Sequence, residues 1–121
     1  PLWAGGALGL LGTAILVVNN LRDRVGDAAA AKRTLVVRFG PAFGRVQYAC
    51  VTFGAYALVS APVLFGGAPI GWLLPLVTLP LAVVRIRAVY RRDGGALNPE
   101  LGATARLGFL FSLLLAGGVL L

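Results

Sequence analysis

The distribution of charge constrains the fold of this chain more than any other feature. All Lys, Arg, Asp and Glu side chains fall within residues 22–45 and 85–106, which carry net charges of +4 and +3 and together give the formal charge of +7. The apolar segments between and beside these stretches, with the longest one divided by a turn at residues 66–69, come close to the roughly 20 residues that a helix needs to cross a membrane. Because only helices satisfy every backbone group inside such a segment, we expect an all-α transmembrane bundle. The four predicted spans lie at about residues 2–18, 46–65, 70–90 and 101–121.

The composition supports a membrane protein and excludes several kinds of site. Hydrophobic residues make up 59% of the 121 residues and charged residues only 12%, whereas soluble domains carry about 25% charged residues. The 17 Gly and 7 Pro residues are typical of packed transmembrane helices. The chain contains no His, so His-based acid–base catalysis and His metal ligands are excluded, and its single Cys excludes an intrachain disulfide.

The position of the charges also predicts a topology. The turn at residues 66–69 carries no charge, whereas both charged stretches are basic. By the positive-inside rule, both charged loops face the cytoplasm of a multi-pass plasma-membrane protein, and this turn faces outward. The arginines of residues 85–92 are interpreted mainly as cations that reach for the interface. A nucleic-acid partner is excluded, since no aromatic residues alternate with the basic ones.

The start of the chain suggests that further sequence precedes it. There is no Met, and an apolar segment is already under way after Pro1. We therefore expect these residues to be a piece of a longer protein.

The stretch Asn19-Asn20-Leu21-Arg22-Asp23-Arg24-Val25-Gly26-Asp27, followed by Lys32-Arg33-Thr34, is the candidate functional motif. Carboxylates four residues apart, at Asp23 and Asp27, lie on one face of a helix, where a divalent cation relieves their repulsion and holds a phosphate. The amide of Asn20 adds a neutral oxygen to the same face. Lys32 and Arg33 follow close enough to neutralise phosphate charge. The alternative is a solvated helix end with local ion pairs, and the residues by themselves leave both open.

The run NNLRDRVGDAAAAKRTLVVRFG resembles the second Asp-rich motif of the UbiA superfamily of membrane aromatic prenyltransferases, in the form NNxRDxxxDxxAGKxTLAVxxG. Residues 96–99 and 104–107 also resemble the stretch before that family's last helix, so the resemblance covers nearly the whole chain. It is strongest for the branch that prenylates 1,4-dihydroxy-2-naphthoate in menaquinone biosynthesis. Two positions depart from the pattern: Ala31 replaces Gly, and Gly26 replaces the usual Thr.

The resemblance implies a nine-helix bundle of which this chain forms helices six to nine, with the N-terminal half of the enzyme as its missing partner. It implies a Mg²⁺-dependent enzyme that transfers a polyprenyl group from a prenyl diphosphate to an aromatic acceptor within the lipid bilayer. The implied metal ligands are Asp23, Asp27 and Asn20, with Lys32 as a further catalytic residue. Arg22, Lys32 and Arg33 would bind the diphosphate.

Other functions stay open at this stage. The acceptor could be 4-hydroxybenzoate or homogentisate instead of the naphthoate. The chain could also be a truncated membrane protein without catalytic activity, or a small multi-span protein whose basic loops bind anionic lipid. Since it carries only one Asp-rich motif, we expect the 121 residues alone not to transfer a prenyl group.

Overall fold

The computed structural model describes residues 2–120, with side chains from Trp3 onward, and its regular structure there is helical, without strands. Five α-helices follow one another along the chain. They are α1 (Leu2–Ala29), α2 (Leu35–Phe39), α3 (Pro41–Phe65), α4 (Leu79–Arg91) and α5 (Asn98–Leu120). Two 3₁₀ segments, Ile70–Thr78 and Gly94–Leu97, run directly into α4 and α5.

The four predicted spans are confirmed as helices long and apolar enough to cross a membrane. These are Trp3–Ala29, Pro41–Phe65, Ile70–Arg91 and Gly94–Leu120. The first two extend further than the predicted spans, because the adjoining charged residues are helical as well. Leu121, the last residue of the fourth predicted span, lies outside the described residues.

The third span differs from a continuous α-helix, since its first nine residues are 3₁₀. Proline lacks an N–H, so Pro80 does not donate to the carbonyl of Leu76, and the N–H of Leu79 bonds to that carbonyl instead. The hydroxyl of Thr78 donates to the carbonyl of Pro75 at 2.7 Å and lies 2.7 Å from the Tyr56 hydroxyl of α3. The carbonyls of Pro75 and Leu76 are thereby paired within the protein.

The helices pack around α1, which contacts both α3 and α5. One core cluster, in the half that contains the turn at residues 66–69, is built around Leu11, Val59 and Phe111. A second cluster, in the half that contains the motif, is built around Val18, Tyr48 and Val89.

The two charged stretches meet at one end of the bundle. Arg22 and Arg24 of α1 bond to Asn98 and Asp93, which lie 76 and 69 residues further along the chain. The uncharged turn lies at the other end, where Trp3 and Gly66 line the same groove. The structure therefore agrees with the predicted separation of charged loops from the uncharged turn.

The first 3₁₀ segment and α5 approach each other closely at two glycines. A Cβ added at Gly71 would collide with the backbone of Gly118, and one added at Gly118 would collide with the backbone of Gly71. Only glycine at both positions permits this approach. The neighbouring Gly117 has nothing within 4 Å of an added Cβ.

We predict that Gly118→Ala destabilises the protein while Gly117→Ala does not. Overpacking at Gly118 should reduce the free energy of unfolding by about 1–3 kcal/mol, because the obstructing atoms are backbone and have no alternative rotamer. The measurement is the denaturation midpoint of each purified variant in the same detergent. Equal midpoints for both variants would contradict the close contact.

Candidate functional site

The predicted metal ligands lie on the C-terminal turns of α1, as expected for a motif carried on an extension of the first helix. Asn20, Asp23 and Asp27 are three and four residues apart, so they share one helix face, and all three are half-buried. Leu21 points to a different face and is fully buried. There α3 comes so close that a Cβ added at Gly44 would lie 2.8 Å from the Leu21 side chain. This packing fixes the helix that carries the motif.

The guanidinium of Arg22 connects most of the polar groups around Asp23. Its Nε donates to Asp23 Oδ1 at 2.9 Å and its Nη2 to Asp23 Oδ2 at 3.1 Å, which is a bidentate ion pair. Nη2 also donates to Asn19 Oδ1 at 2.7 Å, and Nη1 donates to Asn98 Oδ1 at 3.2 Å. Among residues 3–120, Asp27 has no ion-pair partner. The local ion pair expected of a solvated helix end thus exists at Asp23 but not at Asp27.

The end of α1 is a Schellman turn, a reversal closed by two characteristic backbone hydrogen bonds. The N–H of Lys32 donates to the carbonyl of Asp27 at 2.7 Å, and the N–H of Ala31 donates to the carbonyl of Ala28 at 3.1 Å. Ala31 has a φ of +59°, in the left-handed region that favours glycine. The turn ties the backbone of Lys32 to that of Asp27, so the chain reverses directly after the motif.

The basic residues after the turn are exposed. Lys32 lies within electrostatic reach of Asp23, whereas no contact between Arg33 and the motif carboxylates is found in the described part of the chain. Thr34 then begins α2, accepting a hydrogen bond from the N–H of Val37 at 3.2 Å. The groove beside the motif is lined by other residues, Arg24 and Gly40 among them.

The second charged stretch closes over the same end of the bundle. Arg24 Nη2 donates to Asp93 Oδ2 at 2.7 Å, and this hydrogen bond lowers the pKa of the Asp93 carboxyl, so the carboxyl is ionised at neutral pH. Arg45 of α3 donates to the backbone carbonyls of Val89 and Arg92 at 3.2 and 3.1 Å, which satisfies the end of α4. These contacts hold the two charged loops in a fixed relation.

Glu100 is the main polar residue that the sequence analysis missed. It is fully buried in the first turn of α5 and pairs with Arg85 at 3.2 Å and with Arg92 at 2.9 Å. Both arginines had been interpreted as interfacial cations, but they serve as partners of this carboxylate. The helix dipole favours an acidic residue at a helix N-terminus, and this is the sequence signal that Glu100 offered. Helical periodicity does not indicate that its partners are Arg85 of α4 and Arg92, the residue after α4.

The donor chemistry of the motif suits a hard cation such as Mg²⁺. Within residues 2–120 no cluster of three or more His, Cys, Asp or Glu side chains is found, so this part of the chain offers two carboxylates and neighbouring amides. All of these are oxygen donors, as Mg²⁺ prefers, and phosphate oxygens or water normally complete such a shell. The residues present therefore fit a shared metal–phosphate site rather than an all-protein metal cage.

Comparison with known sequences identifies the family. The sequence pattern of the UbiA prenyltransferase family matches residues 1–114. The chain belongs to the UbiA prenyltransferase family. It is 39% identical over 117 residues to the 1,4-dihydroxy-2-naphthoate octaprenyltransferase of Escherichia coli K12, covering 95% of this chain and 38% of that protein. The Mycobacterium tuberculosis protein of the same name is 38% identical, over 93% of this chain and 38% of its own length.

An animal relative shows the same partial coverage. The chicken UbiA prenyltransferase domain-containing protein 1 is 34% identical over all of this chain and 35% of its own length. The chain thus spans a little over one third of the length of these curated relatives. The resemblance seen in the motif is confirmed at the level of the family.

The UbiA pattern has glycine where this chain has Ala31, and the backbone there is left-handed. We predict that Ala31→Gly raises the free energy of unfolding by about 1 kcal/mol, because a left-handed conformation costs an L-residue roughly 1–2 kcal/mol. Ala30→Gly, one residue earlier, should be destabilising because Ala30 is not in that region. The midpoint of thermal unfolding in detergent measures both. Destabilisation by Ala31→Gly would show that the turn is not formed.

We also predict that Glu100→Gln lowers the free energy of unfolding by roughly 2–4 kcal/mol, since it leaves two arginines without their buried counter-charge. Asp93→Asn breaks the exposed Arg24–Asp93 pair at the same end of the bundle and should change the free energy of unfolding by less than about 1 kcal/mol. Denaturant or thermal unfolding of the purified variants compares the two. An effect of Glu100→Gln no larger than that of Asp93→Asn would contradict a structural role for the buried pair.

Proposed function

We propose that this chain supplies one diphosphate-binding motif of a Mg²⁺-dependent UbiA-type prenyltransferase. The reaction is transfer of a polyprenyl group from a prenyl diphosphate to an aromatic acceptor, 1,4-dihydroxy-2-naphthoate. One observation carries the proposal: α1 continues from an apolar span into a stripe of oxygen donors and then reverses, so that Lys32 returns toward Asp27. A lipid-tailed diphosphate would require carboxylates and a cation close together beside an apolar region, and this order of residues supports such a site.

Each motif residue has a separate role in this proposal. Asp23 and Asp27 hold the cation with the amide of Asn20, and the bound Mg²⁺ supplies positive charge to the diphosphate oxygens. Arg22, Lys32 and Arg33 contribute hydrogen bonds and positive charge to the same oxygens. These groups stabilise the charge that develops as the diphosphate departs, which is when electrostatic stabilisation accelerates a reaction.

The bond changes balance without an added oxidant or reductant. The allylic carbon–oxygen bond breaks, and the diphosphate leaves with the electron pair. The electron-rich ring carbon that bears the carboxylate forms the new carbon–carbon bond, and loss of CO₂ from that carbon restores the aromatic ring. The apolar surroundings of the reacting carbon limit its capture by water.

The choice of acceptor rests on the names of the bacterial relatives, which act on 1,4-dihydroxy-2-naphthoate. The animal relatives, whose names specify only the UbiA domain, leave another acceptor as the second candidate. The basic end of the bundle is proposed to face the cytoplasm, from which a soluble naphthoate and the diphosphate group would approach.

We expect Asp23→Asn or Asp27→Asn to abolish most of the activity. The chain would be tested in a chimaera in which it replaces the matching segment of the Escherichia coli relative, with 1,4-dihydroxy-2-naphthoate, 4-hydroxybenzoate and homogentisate offered as acceptors. Each substitution should lower turnover about 100-fold or more, the usual effect of removing one electrostatic stabiliser. Membrane expression should be retained, since neither residue is buried.

Asp93→Asn serves as the matched control, because it removes a carboxylate from the same end of the bundle that does not lie on the motif face. It should leave turnover close to that of the parent chimaera. Normal turnover and Mg²⁺ dependence in both motif variants would remove Asp23 and Asp27 as ligands. Preferred turnover of 4-hydroxybenzoate or homogentisate would replace the proposed acceptor.

A further inference from the structure

Asn98, the first residue of α5, contacts the motif although it lies 76 residues away from it. Its Oδ1 accepts a hydrogen bond from Arg22 Nη1 at 3.2 Å. The side chain is exposed, so the contact contributes little to the core. Asn98 therefore reaches the site from a segment that carries none of the predicted ligands.

The donors of Arg22 are divided between two sides of the guanidinium. The edge formed by Nε and Nη2 binds both oxygens of Asp23. Nη2 carries a second N–H, so it donates to Asn19 as well as to Asp23, and Nη1 donates to Asn98. Arg22 would thus stay in place if its bonds to Asp23 were broken.

Asp23 has two competing demands on its oxygens. A carboxylate engaged bidentately by arginine has about half of its four lone-pair sites occupied, so a cation would compete with Arg22 for its oxygens. If Asp23 rotated to bind a metal, the Nε–Nη2 edge of Arg22 would lose its partner. That planar edge matches two oxygens of a phosphate as well as two oxygens of a carboxylate.

We propose that Asn98 is a positioning residue that, with Asn19, holds Arg22 beside the motif so that its freed edge binds the diphosphate. This inference rests on the proposed function, because it requires a diphosphate at the motif. Asn98 acts through Arg22 and does not touch the diphosphate itself. The specificity of the site for the diphosphate then depends on α5 as well as on α1.

The pair Arg24–Asp93 provides a comparison within the same structure. It also joins α1 to the segment before α5, by a shorter bond of 2.7 Å, but it does not involve Arg22. If Asn98 served only to tie these segments together, loss of Asp93 would have at least the same effect. If Asn98 positions Arg22, only loss of Asn98 changes binding of the diphosphate.

The test measures binding as well as turnover in the chimaera described above. The variants are Asn98→Ala, Asn98→Ser, Arg22→Ala, the double variant Arg22→Ala/Asn98→Ala, and Asp93→Asn. Serine is too short to reach Arg22 but suits a helix start, so Asn98→Ser guards against loss of folding. The readouts are the Kd of a non-hydrolysable prenyl diphosphate analogue with Mg²⁺, measured by calorimetry, and the KM values of donor and acceptor.

Asn98→Ala and Asn98→Ser should each raise the Kd of the analogue and the KM of the prenyl diphosphate about 3–10-fold, as expected for one lost hydrogen bond to a charged group near the surface. The KM of the acceptor should not change. The double variant should bind the analogue as Arg22→Ala does, because Asn98 acts only through Arg22. Asp93→Asn should match the parent.

Three results would overturn the inference while leaving the proposed function intact. They are normal analogue binding in both Asn98 variants when Arg22→Ala weakens it, additive losses in the double variant, and an equal loss in Asp93→Asn. If Arg22→Ala and Asp23→Asn both bind the analogue as tightly as the parent, the proposed function fails together with the inference.

Discussion

Inside an apolar environment every backbone N–H and C=O needs a partner within the protein, and this requirement governs most of the structure. It accounts for the long helices and for the positions at which a helix changes type or ends. The prolines of the third span remove donors, and the structure responds with a 3₁₀ segment and with the Thr78 hydroxyl bound to the carbonyl of Pro75. At the other end of the bundle, Arg45 satisfies the last carbonyls of α4. The Schellman turn at Ala31 does the same for α1.

Satisfying the helix ends also organises the candidate site. The turn that closes α1 bonds the backbone N–H of Lys32 to the carbonyl of Asp27, so helix termination decides where the chain runs after the motif. Charge is arranged in two different ways nearby. Glu100 is buried and forms ion pairs with two arginines, so its role is structural. Asp27 is half-buried and has no ion-pair partner in the described part of the chain, so its carboxylate is free for the proposed cation.

The competition for Asp23 gives the site its most specific feature. Arg22 binds the same carboxylate oxygens that a cation would use, so the proposed metal and the arginine compete for them. An arginine displaced from Asp23 can bind the diphosphate only if it stays beside the motif. The hydrogen bonds of Arg22 to the amide oxygens of Asn19 and Asn98 are proposed to hold it there. The proposal puts a prenyl diphosphate at this position, and membership of the UbiA family supports it. Family membership does not specify which residues hold Arg22, which is a property of this chain's own packing.

The sequence by itself determined the four spans, the continuation of the first helix into the motif, and the shared face of Asn20, Asp23 and Asp27. These follow from local periodicity and from the segregation of charge, and a single helix preserves them wherever it packs. The pairing of Glu100 with Arg85 and Arg92 and the bond from Asn98 to Arg22 depended on the tertiary structure. The reason is that α4 and α5 set these distances by packing on α1 and α3, and hydropathy does not encode the rotation of one helix against another.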